Sequence, residues 1–494
     1  MKEKTRLILQ NIKERVSRVS ALSLLYDTCK LAGSELNAPM RIAITGEIKT
    51  GKSTLLNAFM GSEVVPTAVE VMTYNINWFH HVSCSPNGKE CFVVHYLDGT
   101  IDTNPLEEIA SFVGYSEDKT ELINSIDWVD AYVNQPLLEK FDLIDTPGLG
   151  SLLGNDSKHT KDLLTTNTNR PDAIIYLVNQ EFKDTDINAI EEFHATTNLM
   201  SGISAIAAFT RVDEMNGLHN DASANIGRAK TENSNIRYNF AEIYSIAALP
   251  AVASWKLNDE EIDALCELKK IPNLPTLLAN KQSFQNSDWK SNKLRNSLLD
   301  KLTIKGIKLV VNYFLNNPSA TNEDCRKYLY DFSRVKELEQ VIITRFGERA
   351  DFHKSNRVLA MLRKACNTLS KNKQLVGTDK QILKQVLDLI KQSEIELHKT
   401  YADYYLLSDY YNQETYFEEE EWERVKRLLG ECGKSIHDRL DLPLNATDDE
   451  IKDAHLQEMK YWQNKHNKAK ILGNPTIQKH TETILNVLQN QLNL

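Results

Sequence analysis

The chain has 494 residues, more than one ordinary domain holds, so two or three domains with separate cores are expected. Charged residues make up 26% and apolar residues 41%, as in soluble globular proteins, and the net charge of −10 speaks against general nucleic-acid binding, which needs a basic surface. The seven cysteines are scattered and include no CxxC pair, which argues against a zinc site and for a reducing, cytoplasmic setting.

The first 36 residues read as a helix, with Leu7, Ile8, Ile12, Val16, Leu22 and Leu25 near one face and basic residues between them. The opening MKEKTRLILQ has no long apolar core, so a secretory signal is not expected. From Met40 short apolar runs alternate with turns and helical stretches. RIAITG, FVVHYL, FDLIDTPG, AIIYLV, ISAIAAFT and AEIYSI read as strands of an α/β sheet ending near residue 255.

Beyond that point the periodicity is helical. Val335, Leu338, Ile342 and Phe346 fall on one stripe, and breaks are expected at Pro272 and Pro275, at Asn317-Pro318, at Gly377, and at Gly430 and Gly433. Thr447, with Glu450 three residues on, predicts the capped start of a helix in a last small unit. The best apolar run, GIKLVVNYFL, is short and contains Lys308 and Asn312, so any membrane contact is expected to be peripheral. The tyrosine-rich stretch 401–411 suits either a membrane interface or a packed core, and helical spacing favours the core.

Gly46-Glu47-Ile48-Lys49-Thr50-Gly51-Lys52-Ser53 matches GxxxxGK[ST] between an apolar strand and a helix-forming run that begins at Thr54. Glycines at these positions let backbone N–H groups close on phosphates, and the following helix aims its positive end at them. Lys52 is then expected on the β- and γ-phosphates and Ser53 on Mg²⁺. Asp145-Thr-Pro-Gly148 follows the strand FDLI. There Asp145 is expected to hold the magnesium through water, and the Gly148 amide to read the γ-phosphate.

Thr210-Arg211-Val-Asp213 follows another apolar strand. Asp213 can accept two hydrogen bonds from the guanine edge, a donor pair that adenine lacks, and the Arg211 stem can pack across the base. Ser245-Ile246-Ala247 stands where a second base-contacting loop should follow. VVPTAVEVMT offers Thr67 and Thr73 as the threonine that meets Mg²⁺ and the γ-phosphate; the residues alone do not choose between them.

These motifs, in the order GEIKTGKSTLLNAFMG, VVPTAVEVMT, LIDTPGLGSLL, DAIIYLVNQ and FTRVDE, resemble those of the dynamin superfamily, most of all its bacterial members, over about residues 40–250. SRVKELEQVIITRFGERADFHKSNRVLAMLRKA is similar to the helical segment that follows the GTPase domain in mycobacterial dynamin-like proteins. The resemblance implies GTP hydrolysis, dimerisation of the GTPase heads with a second copy or a paralogous dynamin-like partner, a helical neck, and membrane remodelling. It places Thr73 at the spacing of the family's switch threonine. Arg211 replaces the usual lysine, and Leu149 stands where small Ras-like GTPases carry a water-orienting glutamine. Lys49 replaces a small polar residue that in related GTPases helps to hold a catalytic K⁺. Its ammonium is expected to stand in for that ion, or else to be a solvent-facing loop lysine.

The segment LDLPLNATDDEIKDAHLQEMKYWQNKHN resembles the first half of a J-domain without the His-Pro-Asp loop. The expected architecture is an α/β P-loop GTPase domain with a mixed, mostly parallel sheet (39–255). An N-terminal helix (1–38) joins the neck, a helical neck or stalk covers 256–433, and a J-like helical module covers 434–494. The expected ligands are GTP or GDP, Mg²⁺ and, unless Lys49 replaces it, K⁺. The alternative function is a regulatory or scaffold GTPase that acts through protein partners of its helical region.

Overall fold

The computed structural model describes residues 1–47, 49–65, 76–109, 112, 125–146, 171–179, 181–197, 202–347, 349–372, 375–412, 417–433 and 435–491. The chain divides into two compact units, one built chiefly from Asn37–Leu199 and Ser204–Ala350, the other from Met1–Leu36 and Asp351–Leu494.

Among the described residues, the first unit holds one sheet of nine strands: β1 Met40–Gly46, β2 Ile76–His81, β3 Cys91–Tyr96, β4 Ile101–Pro105, β5 Ile126–Val133, β6 Phe141–Asp145, β7 Ala173–Asn179, β8 Ala205–Thr210 and β9 Glu242–Ser245. Their order is β4-β3-β5-β2-β6-β1-β7-β8-β9. From β6 through β1, β7 and β8 to β9 every pairing is parallel, so the carboxyl ends of these strands share one edge. These strands read as unbroken apolar runs because helices cover both faces. β2 joins β6 antiparallel, and β3 and β4 extend the sheet antiparallel beyond β5.

β2, β4 and β5 are not among the expected strands. β4 is an exposed edge of polar residues ending in Pro105. β2 and β5 interrupt their apolar alternation with polar residues that meet only across the sheet. His80 Nε2 lies 3.2 Å from Asp130 and His80 Nδ1 lies 3.0 Å from Asp142. His95 Nε2 closes the group at 2.8 Å from Asp130. The two histidines hold Asp130 down to about 2, although burial opposes this most strongly.

The sheet unit runs past the boundary expected at 255. Val335, Leu338, Ile342 and Phe346 are all fully buried in the same cluster as Ile42, Ile44, Leu55, Phe59 and Leu143. A second cluster joins Ile262, Leu265, Leu298, Val310, Phe314 and Leu329 from helices Asp259–Leu268, Asn292–Asn316 and Asn322–Ser333. The stripe seen in the sequence therefore serves the sheet. Helical periodicity states that a face is buried, but not against what.

In the other unit, two helices, Lys2–Val16 and Ser23–Asn37, replace the single one expected. They bury different faces, Leu9, Ile12 and Val16 on one and Leu25, Cys29, Ala32 and Leu36 on the other. Thr5 Oγ1 donates to Ser355 Oγ at 3.0 Å, Arg15 to Gln385 at 3.0 Å, and Arg357 pairs with Glu35 at 3.4 Å. The tyrosine stretch is core: Tyr404, Tyr410 and Tyr411 are buried, and the Tyr404 hydroxyl meets His353 Nε2 at 2.8 Å. Thr447 and Glu450 form the reciprocal cap of helix Asp448–Ile471, whose Trp462 is buried beside Phe417. Among the described residues, no helix is long and apolar enough to cross a membrane.

Candidate functional site

The phosphate loop leaves the carboxyl end of β1, between β6 and β7. Gly46 has φ +147°, and a Cβ there would stand 2.5 Å from the Leu177 carbonyl oxygen, so only glycine fits beside β7. Gly51, at φ +93°, and Lys49, at φ 65°, complete the left-handed turns of the loop. Thr50 Oγ1 donates to the Glu47 carbonyl at 2.8 Å and holds the loop in shape.

Lys52 opens the helix Lys52–Met60 with its side chain buried, and its ammonium donates to the carbonyls of Gly46 at 3.1 Å and Glu47 at 2.9 Å. Burial pushes this ammonium below the ordinary lysine range, and the Asp145 carboxylate pulls it back. A charged acceptor binds an ammonium better than a neutral carbonyl does. Ser53 and Thr54 follow in the first helical turn.

The helix itself is fixed from behind. Leu55, Leu56, Phe59 and Met60 are buried, packed against helices Ala248–Lys256 and Val335–Ile342. Asn57 accepts from Val64 N at 3.0 Å and Val65 N at 2.9 Å and donates to the Val65 carbonyl at 2.6 Å. This buried amide sets the chain path up to residue 65. Thr67 and Thr73 lie outside the described residues, as do Ile48, Gly148 and Leu149.

Asp145 ends β6 with no exposure, opposite Ile44 of β1. Thr146 donates to the Ile44 carbonyl at 3.0 Å. Thr210 ends β8 and donates to the Val178 carbonyl of β7 at 3.2 Å. Arg211, in a left-handed conformation, reaches back so that Nη2 donates to the Lys49 carbonyl at 2.9 Å. Asp213 is buried, and burial raises its carboxyl to about 6, with Glu214 adding to the rise and Arg211 and Lys305 opposing it.

Ser245 and Ile246 follow β9. Ile246 N donates to the Phe209 carbonyl at 2.8 Å, which brings the loop beside Thr210–Asp213. Ser245 Oγ lies 2.9 Å from His219 Nδ1 and receives Arg334 Nη1 at 3.2 Å. The other nitrogen of His219 meets the Phe332 carbonyl at 2.8 Å. A carbonyl can only accept, so Nε2 carries the proton there and neutral Nδ1 takes the serine hydrogen. Burial lowers the His219 pKa, which keeps this tautomer uncharged.

The structure thus brings Gly46, Glu47, Lys49–Ser53, Asp145, Thr210, Arg211, Asp213, Ser245 and Ile246 to one edge of the sheet. His219, Arg334 and Lys183, which binds the Glu47 carboxylate, are supporting residues that no linear motif marks, because their partners lie far along the chain. Oxygen donors dominate the phosphate end: the Ser53 hydroxyl and the Asp145 carboxylate. Among the described residues no group of three His, Cys, Asp or Glu side chains could hold a metal alone. Few protein oxygens next to a phosphate cradle suit Mg²⁺, which keeps several waters and takes phosphate oxygens as ligands.

Residues 42–195 match the profile of the Dynamin family. The chain is 25% identical over 444 residues to the isoniazid-induced protein IniC of Mycobacterium tuberculosis, covering 87% of this chain and 85% of that protein. It is 32% identical over 130 residues to dynamin-like protein 2 of Campylobacter jejuni, covering 26% of this chain and 20% of that one. A solved oligomerised bacterial dynamin pair, described as sensing and tethering membranes over long range, aligns with 99% of this chain and 90% of its own at 15% identity and a TM-score of 0.37.

Proposed function

We propose that this chain is a dynamin-like GTPase that binds GTP with Mg²⁺ and couples hydrolysis to dimerisation of its GTPase heads and to movement of its helical unit. The observation that supports this best is the shared edge, where buried Lys52 and Asp145 stand at the phosphate end and buried Asp213 at the base end. Lys52 exchanges the carbonyls of Gly46 and Glu47 for β- and γ-phosphate oxygens. Backbone N–H groups from Glu47 to Thr54, Ile48 included, surround the phosphates. Asp213 takes the two donors of guanine, Thr210 and Ser245–Ile246 shape its pocket, and Arg211 covers its face. Ser53, Thr73 and Asp145 would hold Mg²⁺, which when bound neutralises phosphate charge.

Water attacks the γ-phosphorus as the bond to the β–γ bridging oxygen breaks, so that GDP is the leaving group, the γ-phosphoryl becomes inorganic phosphate, and one proton passes to solvent. Gly148 reads the presence of that phosphate, and Leu149 offers no group to orient the water. Lys49, whose side chain is exposed at the loop, supplies positive charge in place of K⁺. Membrane remodelling is the use of this cycle that the family likeness favours, with contact at the periphery of the bilayer. The partner is a second copy or a paralogous dynamin-like protein.

Calorimetry with Mg²⁺ and GDP, GTP or ATP tests the site. Binding of both guanine nucleotides but not ATP is expected, and the absence of guanine-nucleotide binding would overturn the assignment. Turnover per molecule that rises with protein concentration supports head-to-head activation, and a flat dependence refutes it. Tubulation of liposomes with a GTP analogue separates membrane work from the scaffold alternative.

A further inference from the structure

Helix Asp448–Ile471 and helix Pro475–Gln491 meet in a tight turn. Two bulky apolar residues stand at its tip, Ile471 at 85% and Leu472 at 70% exposure. Among the described residues they are the only sequence neighbours in which two large apolar side chains are both exposed.

The tip is rigid. Asn474 N donates to the Ala469 carbonyl at 2.9 Å and Gly473 N to the Lys470 carbonyl at 3.3 Å, with Gly473 at φ +66°. Asn474 Oδ1 then accepts from Ile477 N at 3.1 Å, and Pro475 starts the next helix. This helix stop asks for glycine at 473 and an apolar contact between the flanking positions. It asks nothing apolar of 471 and 472, where exposed isoleucine and leucine cost solubility.

The surrounding charge is one-sided. From Met459 to Thr481 the sequence contains five lysines, Lys460, Lys465, Lys468, Lys470 and Lys479, and no aspartate or glutamate, in a chain of net charge −10. Lys465 is paired with Glu421, and Lys479 lies 3.1 Å from His398. Lys468 and Lys470 are exposed in the last helical turn beside the apolar pair. Cations there also complement the negative helix end, which accounts for the lysines but not for the apolar residues. Asp409 is paired with His480 at 3.0 Å, and Glu458, on the first of the two helices, with Arg424 at 2.9 Å.

We propose that this hairpin tip docks on an anionic lipid surface, with Ile471 and Leu472 entering the headgroup–acyl boundary and Lys468 and Lys470 meeting lipid phosphates. A convex apolar point ringed by flexible cations fits a deformable charged bilayer, where lysine stems lie along apolar material and their ammonium groups reach the headgroups. The proposal rests on the peripheral membrane reading given above.

Flotation of the full chain with vesicles of phosphatidylcholine mixed with phosphatidylglycerol, and with pure phosphatidylcholine, tests it. Wild type is expected to float with the anionic vesicles, and I471S/L472S to lose about tenfold in vesicle affinity at unchanged basal GTP turnover and melting temperature. K468Q/K470Q is expected to lose affinity mainly at low salt. In L472W, brominated lipid is expected to quench more emission than in wild type. If wild type floats and I471S/L472S floats equally well, the tip is refuted and the membrane reading stands. If wild type does not float on either vesicle, both fail. If I471S/L472S changes only self-association in analytical ultracentrifugation, the tip is a contact between copies and the lipid proposal is overturned.

Discussion

Nζ of Lys183 stands 2.9 Å from a carboxylate oxygen of Glu47, and Thr185 Oγ1 donates to the other oxygen at 2.9 Å. Glu47 is the second residue of the phosphate loop, and its own carbonyl receives Lys52. A carboxylate this close to the seat of a triphosphate repels it unless its charge is answered. The bond to Lys183 lowers the Glu47 pKa, and Thr185 lowers it further, so the group stays ionised. Lys183→Ala is therefore expected to weaken GDP affinity by roughly two- to fivefold, as suits an exposed pair. Glu47→Gln added to Lys183→Ala should restore it, because the repelling charge is gone. If the double variant binds as weakly as Lys183→Ala, the pair is a mechanical strap instead. Calorimetry at low ionic strength makes the distinction.

Asp213 gives a pH dependence whose two signs differ. Its folded carboxyl titrates at about 6, against 3.8 for an ordinary aspartate. In that interval the folded, nucleotide-free chain holds more protons than the unfolded one, so this group's contribution to stability falls as pH rises from 3.8 to about 6. Guanine binding runs the other way, since only the carboxylate accepts both ring donors. GDP affinity is expected to rise as pH passes upward through about 6, while the melting temperature of the nucleotide-free protein gains nothing from Asp213. Asp213→Ala should flatten the affinity profile and lose the preference for guanine over adenine.

Lys49 separates two electrostatic solutions for one reaction. Its side chain is exposed, its φ is 65°, and its carbonyl is held by Arg211. That bond does not use the ammonium, so the ammonium is not needed for it. Turnover is expected to be alike in sodium and potassium and to fall by about tenfold or more in Lys49→Ala, the scale on which a charge at the transition state acts. GDP affinity should change little, because alanine accepts the same backbone angle at similar cost. Unchanged turnover in that variant would leave the lysine as a surface residue and return the role to a bound cation.

Gly46–Ser53, Asp145 and Thr210–Asp213 stand out in the sequence because each follows an apolar strand within a few residues. The supports of the site do not. His219 reaches Ser245 from 26 residues away and Lys183 reaches Glu47 from 136, so no local pattern carries either pair. β2 and β5 were hidden for a related reason. His80 and Asp130 look like loop residues until the fold sets them on one face of adjacent strands, where each satisfies the other. The turn that splits the N-terminal helix has no glycine or proline to announce it, only Ser17 and Ser20, which compete for backbone bonds.

The position of Phe346 carries the last prediction. It lies 91 residues beyond the expected end of the sheet domain at 255, yet it is fully buried with Val335, Leu338 and Ile342 among β1, β6 and the helix that follows the phosphate loop. Those four side chains leave the core if the chain stops at 255. Leu55, Leu56 and Phe59 then lose part of their cover, and the helix that carries Lys52 loses the support of Val335–Ile342. A fragment of residues 37–255 is expected to bind a hydrophobic dye and to bind GDP poorly. A fragment of residues 37–350 should melt cooperatively and bind GDP like the full chain. Phe346→Ala in the full chain should cost about 3–5 kcal/mol in unfolding of the sheet unit, read from denaturant melts with and without GDP. A stable, GDP-binding 37–255 fragment would show that the stripe is dispensable to the site.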